Sequence, residues 1–316
     1  MASYAAFGFQ LECDFDLPEL TRTRGGDGRA WRIETRRTTA PPGDYEQLGS
    51  DVVYADVRVH ALASPTTFRV VFDDTGTFDV ITAEERIIWY PGTRASDVAV
   101  RADLLGRVIA MAAHSSGAMT LHASAVSIDG QAIALLGPKQ AGKSTLALAL
   151  VNAGARLLTD DTLVVRMDAR GTAWASPGVQ RVRLWDDSAR ALAVRSHGES
   201  GTKPTIDTLP AERLEPSDVR LAACYVLHAS SDAAPVRRAA MPAVDAAMSC
   251  VRFSKLGSLA GGREGGVVLG RAAALAASVP VFAVNVRRDL GTLDGVAAAF
   301  LAWHGRARPA NAVATQ

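Results

Sequence analysis

No one sign of charge dominates this chain. Its 316 residues carry 34 Lys+Arg and 33 Asp+Glu, a formal charge of +1. That leaves no global field to recruit nucleic acid or an anionic membrane, so any anionic ligand has to be held locally. No stretch approaches the roughly 18 uncharged apolar residues that span a bilayer, and Met1 to Gln10 lacks the basic segment and apolar run of a secretory signal. A cytoplasmic protein without nucleic-acid or membrane partners is expected. Cysteine is scarce: Cys13, Cys224 and Cys250 are odd in number and scattered. They show neither the CxxC spacing of a zinc site nor the density of a disulfide scaffold, so buried free thiols are expected. Internal repeats are lacking too, and the alanine-rich stretches fit closely packed helices better than low complexity. What is present is a hydrophobic content of 48%, enough for one large core or two modest ones.

The punctuation of the chain predicts a β-rich N-terminal domain over 1–95. Val52 to Val59, Phe68 to Phe72, Phe78 to Ile81 and Arg86 to Tyr90 read as β runs. Asp73-Asp74-Thr75-Gly76 and Thr82 to Glu85 separate the later ones, as in an antiparallel meander. Arg24 to Arg29, with three glycines, reads as a loop. Over 96–120 the pattern becomes helical: Val100, Leu104, Leu105, Val108 and Met111 recur behind a Ser96 N-cap and before Gly117. That helix is expected to bridge to an α/β domain over 121–304, followed by a flexible tail over 305–316. In that domain Leu121 to Ile128 and Ala132 to Leu136 read as strands joined at Asp129-Gly130. A helix from Gly142 to Asn152 and a strand from Arg156 to Thr159 follow. Leu221 to Leu227 and Val281 to Val286 read as further strands, and Ala243 to Phe253, Val267 to Ala277 and Leu293 to Trp303 as helices.

The chemistry concentrates after Leu136. Gly137, Pro138, Lys139, Gln140, Ala141, Gly142, Lys143 and Ser144 match G-x-x-x-x-G-K-[ST] at every fixed position, between a predicted strand and a predicted helix. Glycines let the backbone curl so that successive N–H groups and the helix N-terminus face a phosphate. In such a loop Lys143 reaches the β- and γ-phosphates of ATP, Ser144 coordinates Mg²⁺, and Thr145 helps hold the α-phosphate. Sixteen residues beyond Ser144, the apolar run Leu157 to Thr159 ends in Asp160 and Asp161. One carboxylate at that strand end suits the metal, and the other suits a hydroxyl proton. Adjacent like charges also call for a compensating cation. His122, just ahead of the strand that feeds the loop, is a third candidate.

The run from Leu121 to Asp161 resembles the catalytic core of bacterial HPr kinase/phosphorylases, in which a histidine, a phosphate loop and an Asp-Asp pair succeed one another. His122, Gly137, Gly142, Lys143, Ser144, Asp160 and Asp161 fall at matching places. The resemblance implies an α/β fold with a P-loop kinase core related to HPr kinase and phosphoenolpyruvate carboxykinase, preceded by a β-rich N-terminal region. It implies ATP and Mg²⁺ as cofactors and serine phosphorylation as the activity. Asp160 would be the base, Asp161 with Ser144 would hold the metal, and His122 would lie near the transferring group. The glycine-rich segment with Glu and Asn that follows the Asp pair in HPr kinases is missing, and so is that family's usual N-terminal domain. Residues 1–120 are instead similar to the strand-rich front of the HPr-kinase-like proteins of peptide-modifying gene clusters, which include the lasso-peptide kinases. That broader likeness spans most of the chain, on Leu17-Pro18-Glu19-Leu20, Leu104-Leu105-Gly106, Leu121 to Val126, and Val182-Arg183-Leu184-Trp185 followed by Lys203. This likeness implies a peptide partner with an acceptor serine, namely the C-terminal serine of a precursor peptide. HPr kinases are hexameric, and a homo-oligomer stays open for this chain.

Basic groups that spread charge off a transferring phosphoryl are sought among Arg181, Arg183 and Lys203. Lys203 is favoured, because Gly198 to Pro204 reads as a flexible loop able to close over phosphate. Arg252 and Lys255 rank lower, as does Arg263 in the glycine-rich stretch Gly261 to Gly266, read as a loop. Trp185 and Trp303 read as packing residues. Two other readings stay open on the residues alone, a small-molecule hydroxyl kinase with the same site and a non-catalytic nucleotide switch. A second carboxylate beside the metal aspartate weighs against the switch.

Overall fold

The computed structural model describes residues 1–25, 30–53, 57–197, 205–206, 208–231 and 234–305. Lys203 and its neighbours Gly198 to Pro204, the segment from Gly26 to Arg29, and the tail from Arg306 onward lie outside the described residues. The fold is mixed α/β and contains two large sheets.

Short apolar runs cut by turn residues give the first sheet. Its strands are β1 (Ala2–Ala6), β2 (Phe9–Cys13), β3 (Arg22–Thr23), β4 (Ala30–Thr35), β5 (Glu46–Val52), β6 (Arg58–Ala63), β7 (Phe68–Phe72), β8 (Gly76–Ile81) and β9 (Arg86–Pro91). Their order is β3-β1-β2-β4-β9-β8-β7-β6-β5. β6 to β9 form the expected meander. Val52 to Val59 is not one strand, since β5 ends at Val52 and β6 begins at Arg58. The parallel pairings β2 with β4 and β4 with β9 have no local signature, because they join segments distant in sequence. Trp31, Ile33, Val70, Phe72, Phe78 and Val80 are buried in the core on this sheet. Against them lies a rod made of α1 (Asp97–Asp103), a π turn (Leu104–Val108) and α2 (Ile109–Ser115). Ser96 Oγ accepts the Ala99 N–H at 3.3 Å and caps the rod. The rod buries Leu104, Leu105 and every residue from Val108 to Ala113, so it is a core helix without a solvent face along that stretch.

The second sheet takes β10 (Met119–Leu121), β11 (Ala123–Ile128), β12 (Gln131–Leu136), then α3 (Lys143–Asn152), β13 (Arg156–Thr159), β14 (Leu163–Met167), β15 (Ala173–Ser176) and α4 (Asp186–Ala191). A short pair, β16 (Ser196–His197) and β17 (Thr205–Ile206), precedes β18 (Val219–Ser230), β19 (Val236–Ala240), α5 (Ala243–Arg252), α6 (Gly262–Ser278), β20 (Val281–Arg287) and α7 (Leu293–Trp303). The order is β10-β14-β15-β18-β12-β11-β13, with β20 beside β18 and β19 beside β20. β11 runs antiparallel to both β12 and β13, so β12 and β13 point the same way and their C-terminal ends share one edge of the sheet. Asp129 and Gly130 both take positive φ, 49° and 77°, as a two-residue hairpin turn between β11 and β12 requires. The sheet is buried on both faces. Ile133, Leu135 and Tyr225 pack with α3 and α7 on one side, while Ala123, Ala125, Ala132 and Ala134 pack with α5 and α6 on the other. Small side chains on that second face let the helices approach closely.

Other expectations change as well. The run from Leu121 to Ile128 breaks at His122, whose N–H donates to the Phe253 carbonyl at 2.6 Å instead of joining a ladder. The stretch from Gly262 to Gly266 is not a loop but the first turns of α6. Its glycines cost helix propensity, yet Val268, Ala272 and Leu275 anchor the helix in the core and the Glu264 carboxylate meets His114 Nε2 of α2 at 2.7 Å. Trp303 packs against Tyr225 with ring centroids 5.9 Å apart, whereas Trp185 is 47% exposed and is no packing residue. The three cysteines are free and buried. Among the described residues no helix is long and apolar enough to cross a membrane.

Candidate functional site

A cavity of about 550 Å³ lies away from the glycine loop, between Phe9, Trp31, Glu85, Arg166 and Asp218. The site is marked instead by its grouping of titratable and hydroxyl side chains. The loop joining β12 to α3 turns through left-handed or related backbone at Gly137 (φ 152°), Gln140 (φ 64°) and Gly142 (φ 89°). At Gly137 a β-carbon would also come within 3.0 Å of the Ala141 side chain and 3.3 Å of the Leu227 carbonyl oxygen, so both conformation and space require glycine there. The Lys143 ammonium is buried inside the curl, donating to the carbonyls of Gly137 at 2.8 Å and Pro138 at 3.1 Å. Lys139 reaches outward and donates to the Val53 carbonyl just past the end of β5, 3.1 Å away. Thr145 directs its hydroxyl to Ser188 of α4 at 3.2 Å, which pins α4 beside the first turn of α3. Ala141 packs against the core of the second sheet, and Pro138 and Gln140 complete the loop.

β13 delivers the two aspartates to the same edge. Asp160 is 6% exposed, and its Oδ1 accepts the Ser144 hydroxyl at 2.9 Å and the Ser124 hydroxyl at 2.5 Å. Its backbone N–H is held by the Val179 carbonyl. Asp161 takes φ 77°, an uncommon conformation for a residue with a β-carbon. The chain reverses there, and the second carboxylate turns away from the first. Its Oδ2 receives the Lys255 ammonium at 2.5 Å, and its Oδ1 lies 3.0 Å from His122 Nδ1. The same Nδ1 is 3.2 Å from the Asp161 carbonyl oxygen. Both neighbours are acceptors, so Nδ1 carries a hydrogen. Withdrawal from water pushes the Asp161 carboxyl up, but Lys255 and His122 outweigh it and hold the group well below the usual carboxylate range. Its side chain nonetheless stays 42% exposed, so solvent screens part of that attraction.

His122 and Lys255 meet because their backbones do. The His122 N–H bonds Phe253, the Lys255 N–H donates to the Thr120 carbonyl at 3.1 Å, and Leu121 bridges to Ser254. The structure thus gathers His122, Lys143, Ser144, Asp160 and Asp161 at one edge. It differs from expectation in the pairing: Ser144 contacts Asp160, and Asp161 is the carboxylate beside Lys255 and His122. Arg183 is exposed and bridges to Thr205 through its backbone, Arg252 stacks on Phe253, and Arg263 is exposed on α6. None of these three touches the two aspartates in the described contacts. Nothing in the sequence singles out Ser124, and Lys255 carries only a weak signal there, although the fold places it on Asp161. A signal for Lys255 existed: the chain has only four lysines, Lys139, Lys143, Lys203 and Lys255, against 34 basic residues in all. Two of them are in the loop, and Lys255 is on Asp161.

The donor set suits Mg²⁺. Ser144 Oγ and Asp160 Oδ1 are hard oxygen donors beside the loop, and Mg²⁺ is usually held by one or two carboxylates together with substrate phosphates. No group of three or more His, Cys, Asp or Glu forms a protein-only metal cage among the described residues.

No protein-family model matches the chain, and no curated protein does. Among solved structures, the Hpr(Ser) kinase/phosphatase from Coxiella burnetii is similar over 59% of this chain and 95% of its own, with 14% identity and a TM-score of 0.31. The overlay is loose.

Proposed function

We propose that the protein is a Mg²⁺-ATP-dependent kinase that phosphorylates a serine hydroxyl of a peptide. The observation that carries this reading is the division of labour between adjacent carboxylates, with Asp160 on Ser144 and Asp161 on His122 and Lys255. Ser144 and Asp160 are the residues that would hold Mg²⁺, which when bound neutralises charge between the β- and γ-phosphates. This reverses the roles implied by the resemblance, since the buried, hydroxyl-bonded Asp160 suits the metal and the more open Asp161 suits the acceptor. In the transfer the acceptor oxygen bonds the γ-phosphorus and the bond from that phosphorus to the bridging oxygen breaks. ADP leaves, and the hydroxyl proton passes to the Asp161 carboxylate. A carboxylate held ionised by Lys255 is a weak base, which suffices where the transition state is loose and the proton moves late. Lys143 and the loop amides orient the phosphates.

The sequence likeness to lasso-peptide kinases supports a precursor peptide with a C-terminal serine as the acceptor. The test is mass spectrometry of serine-ended peptides incubated with Mg²⁺-ATP, with binding of a fluorescent ATP analogue measured in parallel. Asp161→Asn is expected to keep nucleotide binding and to lose transfer by about 10²-fold or more, while Asp160→Asn weakens the Mg²⁺-dependent part of nucleotide binding. Full transfer in the Asp161→Asn protein would remove the base assignment. Absence of a phosphate mass shift on every serine peptide would remove the peptide-kinase reading.

A further inference from the structure

Arg107 belongs to none of the motifs above, yet its guanidinium is committed on two sides. Nη2 donates to Asp51 Oδ2 of β5 at 2.5 Å, and Nη1 donates to the Lys255 carbonyl at 3.1 Å. Lys255 is the residue whose ammonium holds Asp161. Its N–H is already fixed by the Thr120 carbonyl, so Arg107 closes the other peptide group and leaves the Lys255 backbone little freedom. A lysine stem is flexible and loses much rotamer entropy when its ammonium is confined; a backbone fixed on both sides reduces what the ion pair itself must overcome.

The helix is distorted at this residue. Arg107 lies in the π turn Leu104–Val108, which interrupts an otherwise α-helical rod. A π turn adds a residue to the turn and so re-aims the side chains that follow, and such turns are frequent at functional sites. The guanidinium is mostly buried, with 19% side-chain exposure, and Asp51 is the carboxylate that offsets its charge. Val53, the residue just past the end of β5, accepts Lys139 of the glycine loop. The edge strand of the first sheet and the residue that follows it therefore touch the nucleotide side of the site through Lys139 and the acceptor side through Arg107.

We infer that Arg107 is a positioning residue for the transfer site: anchored by Asp51, it fixes the Lys255 backbone and thereby keeps the Lys255 ammonium on Asp161. The inference rests on the role of Asp161 in the proposed function. With only four lysines in the chain, amine acylation by a water-soluble acetylating ester, read residue by residue by mass spectrometry, reports directly on Lys255. In the parent protein the ion-paired Lys255, 12% exposed at its side chain, labels slowly. Arg107→Met keeps the length of the stem and removes both hydrogen bonds. It is expected to raise the Lys255 labelling rate several-fold, leave Lys143 unchanged, and preserve KM for Mg²⁺-ATP while kcat for peptide phosphorylation falls. Arg107→Lys restores part of kcat. Asp51→Asn, which loosens the anchor and leaves Arg107 in place, is expected to shift Lys255 labelling in the same direction and serves if Arg107→Met does not fold. An unchanged Lys255 rate in both variants, with ATP-analogue binding intact, overturns the role of Arg107 whether or not transfer occurs. Faster labelling without any transfer by the parent protein keeps the contact and overturns the kinase reading instead.

Discussion

Asp103 is a buried carboxyl that the proposed chemistry does not use, 5% exposed at the end of α1, with the Thr75 hydroxyl donating to its Oδ2 at 2.6 Å. Burial pushes its carboxyl up to about 7 against the favourable hydrogen bond from Thr75. Between the ordinary carboxylate value near 3.8 and about 7 the folded state keeps a proton that the unfolded state has lost. Its contribution to stability is therefore fully present below the lower value and is lost as pH rises through the upper one. Asp103→Asn keeps a carbonyl for Thr75 and removes the titration. Relative to the parent, the variant is expected to gain stability from about pH 4 to about pH 7 and then level off, by up to about 4 kcal/mol. Urea midpoints of both proteins measured across those pH values check this, and a constant difference would show that Asp103 does not titrate abnormally. Burial of this kind was invisible in the sequence, where Asp103 is one polar position in a helical pattern. Gly137 to Ser144 and the Asp pair were legible because their chemistry is local and fixed in spacing. Lys255 and Ser124 were not, because they reach Asp161 and Asp160 from segments 94 and 36 residues away in the chain.

At the scale of elements the strand, loop, helix and strand from Gln131 to Thr159 could be read directly, since turn glycines and apolar runs mark each boundary. The π turn at Leu104–Val108 and the start of α6 could not, because tertiary packing overrides local preference in both. The glycines of α6 turn that override into a measurement. Gly270 is exposed in mid-helix, and a β-carbon there would meet nothing within 4 Å. Gly270→Ala is expected to stabilise the protein by roughly 0.5–1 kcal/mol. Gly265 differs, because a β-carbon would come within 2.7 Å of the Ala260 carbonyl oxygen, and backbone at that distance has to move. Gly265→Ala is expected to lower the urea midpoint despite the same gain in helix propensity. Equal effects of the two substitutions would mean that the close approach of α6 to Ala260 is not maintained in solution.

For the whole molecule, the first sheet is tied to the site by more than chain connectivity. Its core also takes in Val164 of β14 and Leu256 and Leu259 of the segment after α5. β5 lies so close to that segment that a β-carbon on Gly49 would fall 2.2 Å from the Ser258 carbonyl oxygen, and one on Gly261 2.1 Å from that of Leu48. The segment from Lys255 to Gly261 thus supplies both the cation on Asp161 and part of the wall of the first core, so loosening one sheet exposes the apolar surface of the other. The expected outcome is a single calorimetric unfolding transition for the full chain. Saturating Mg²⁺-ATP should move that transition as a unit, by an amount that corresponds to about 2.7 kcal/mol at a hundredfold excess over Kd. Two resolved transitions, of which only one responds to Mg²⁺-ATP, would separate the sheets energetically and leave β5 as a neighbour of the site without a part in its stability.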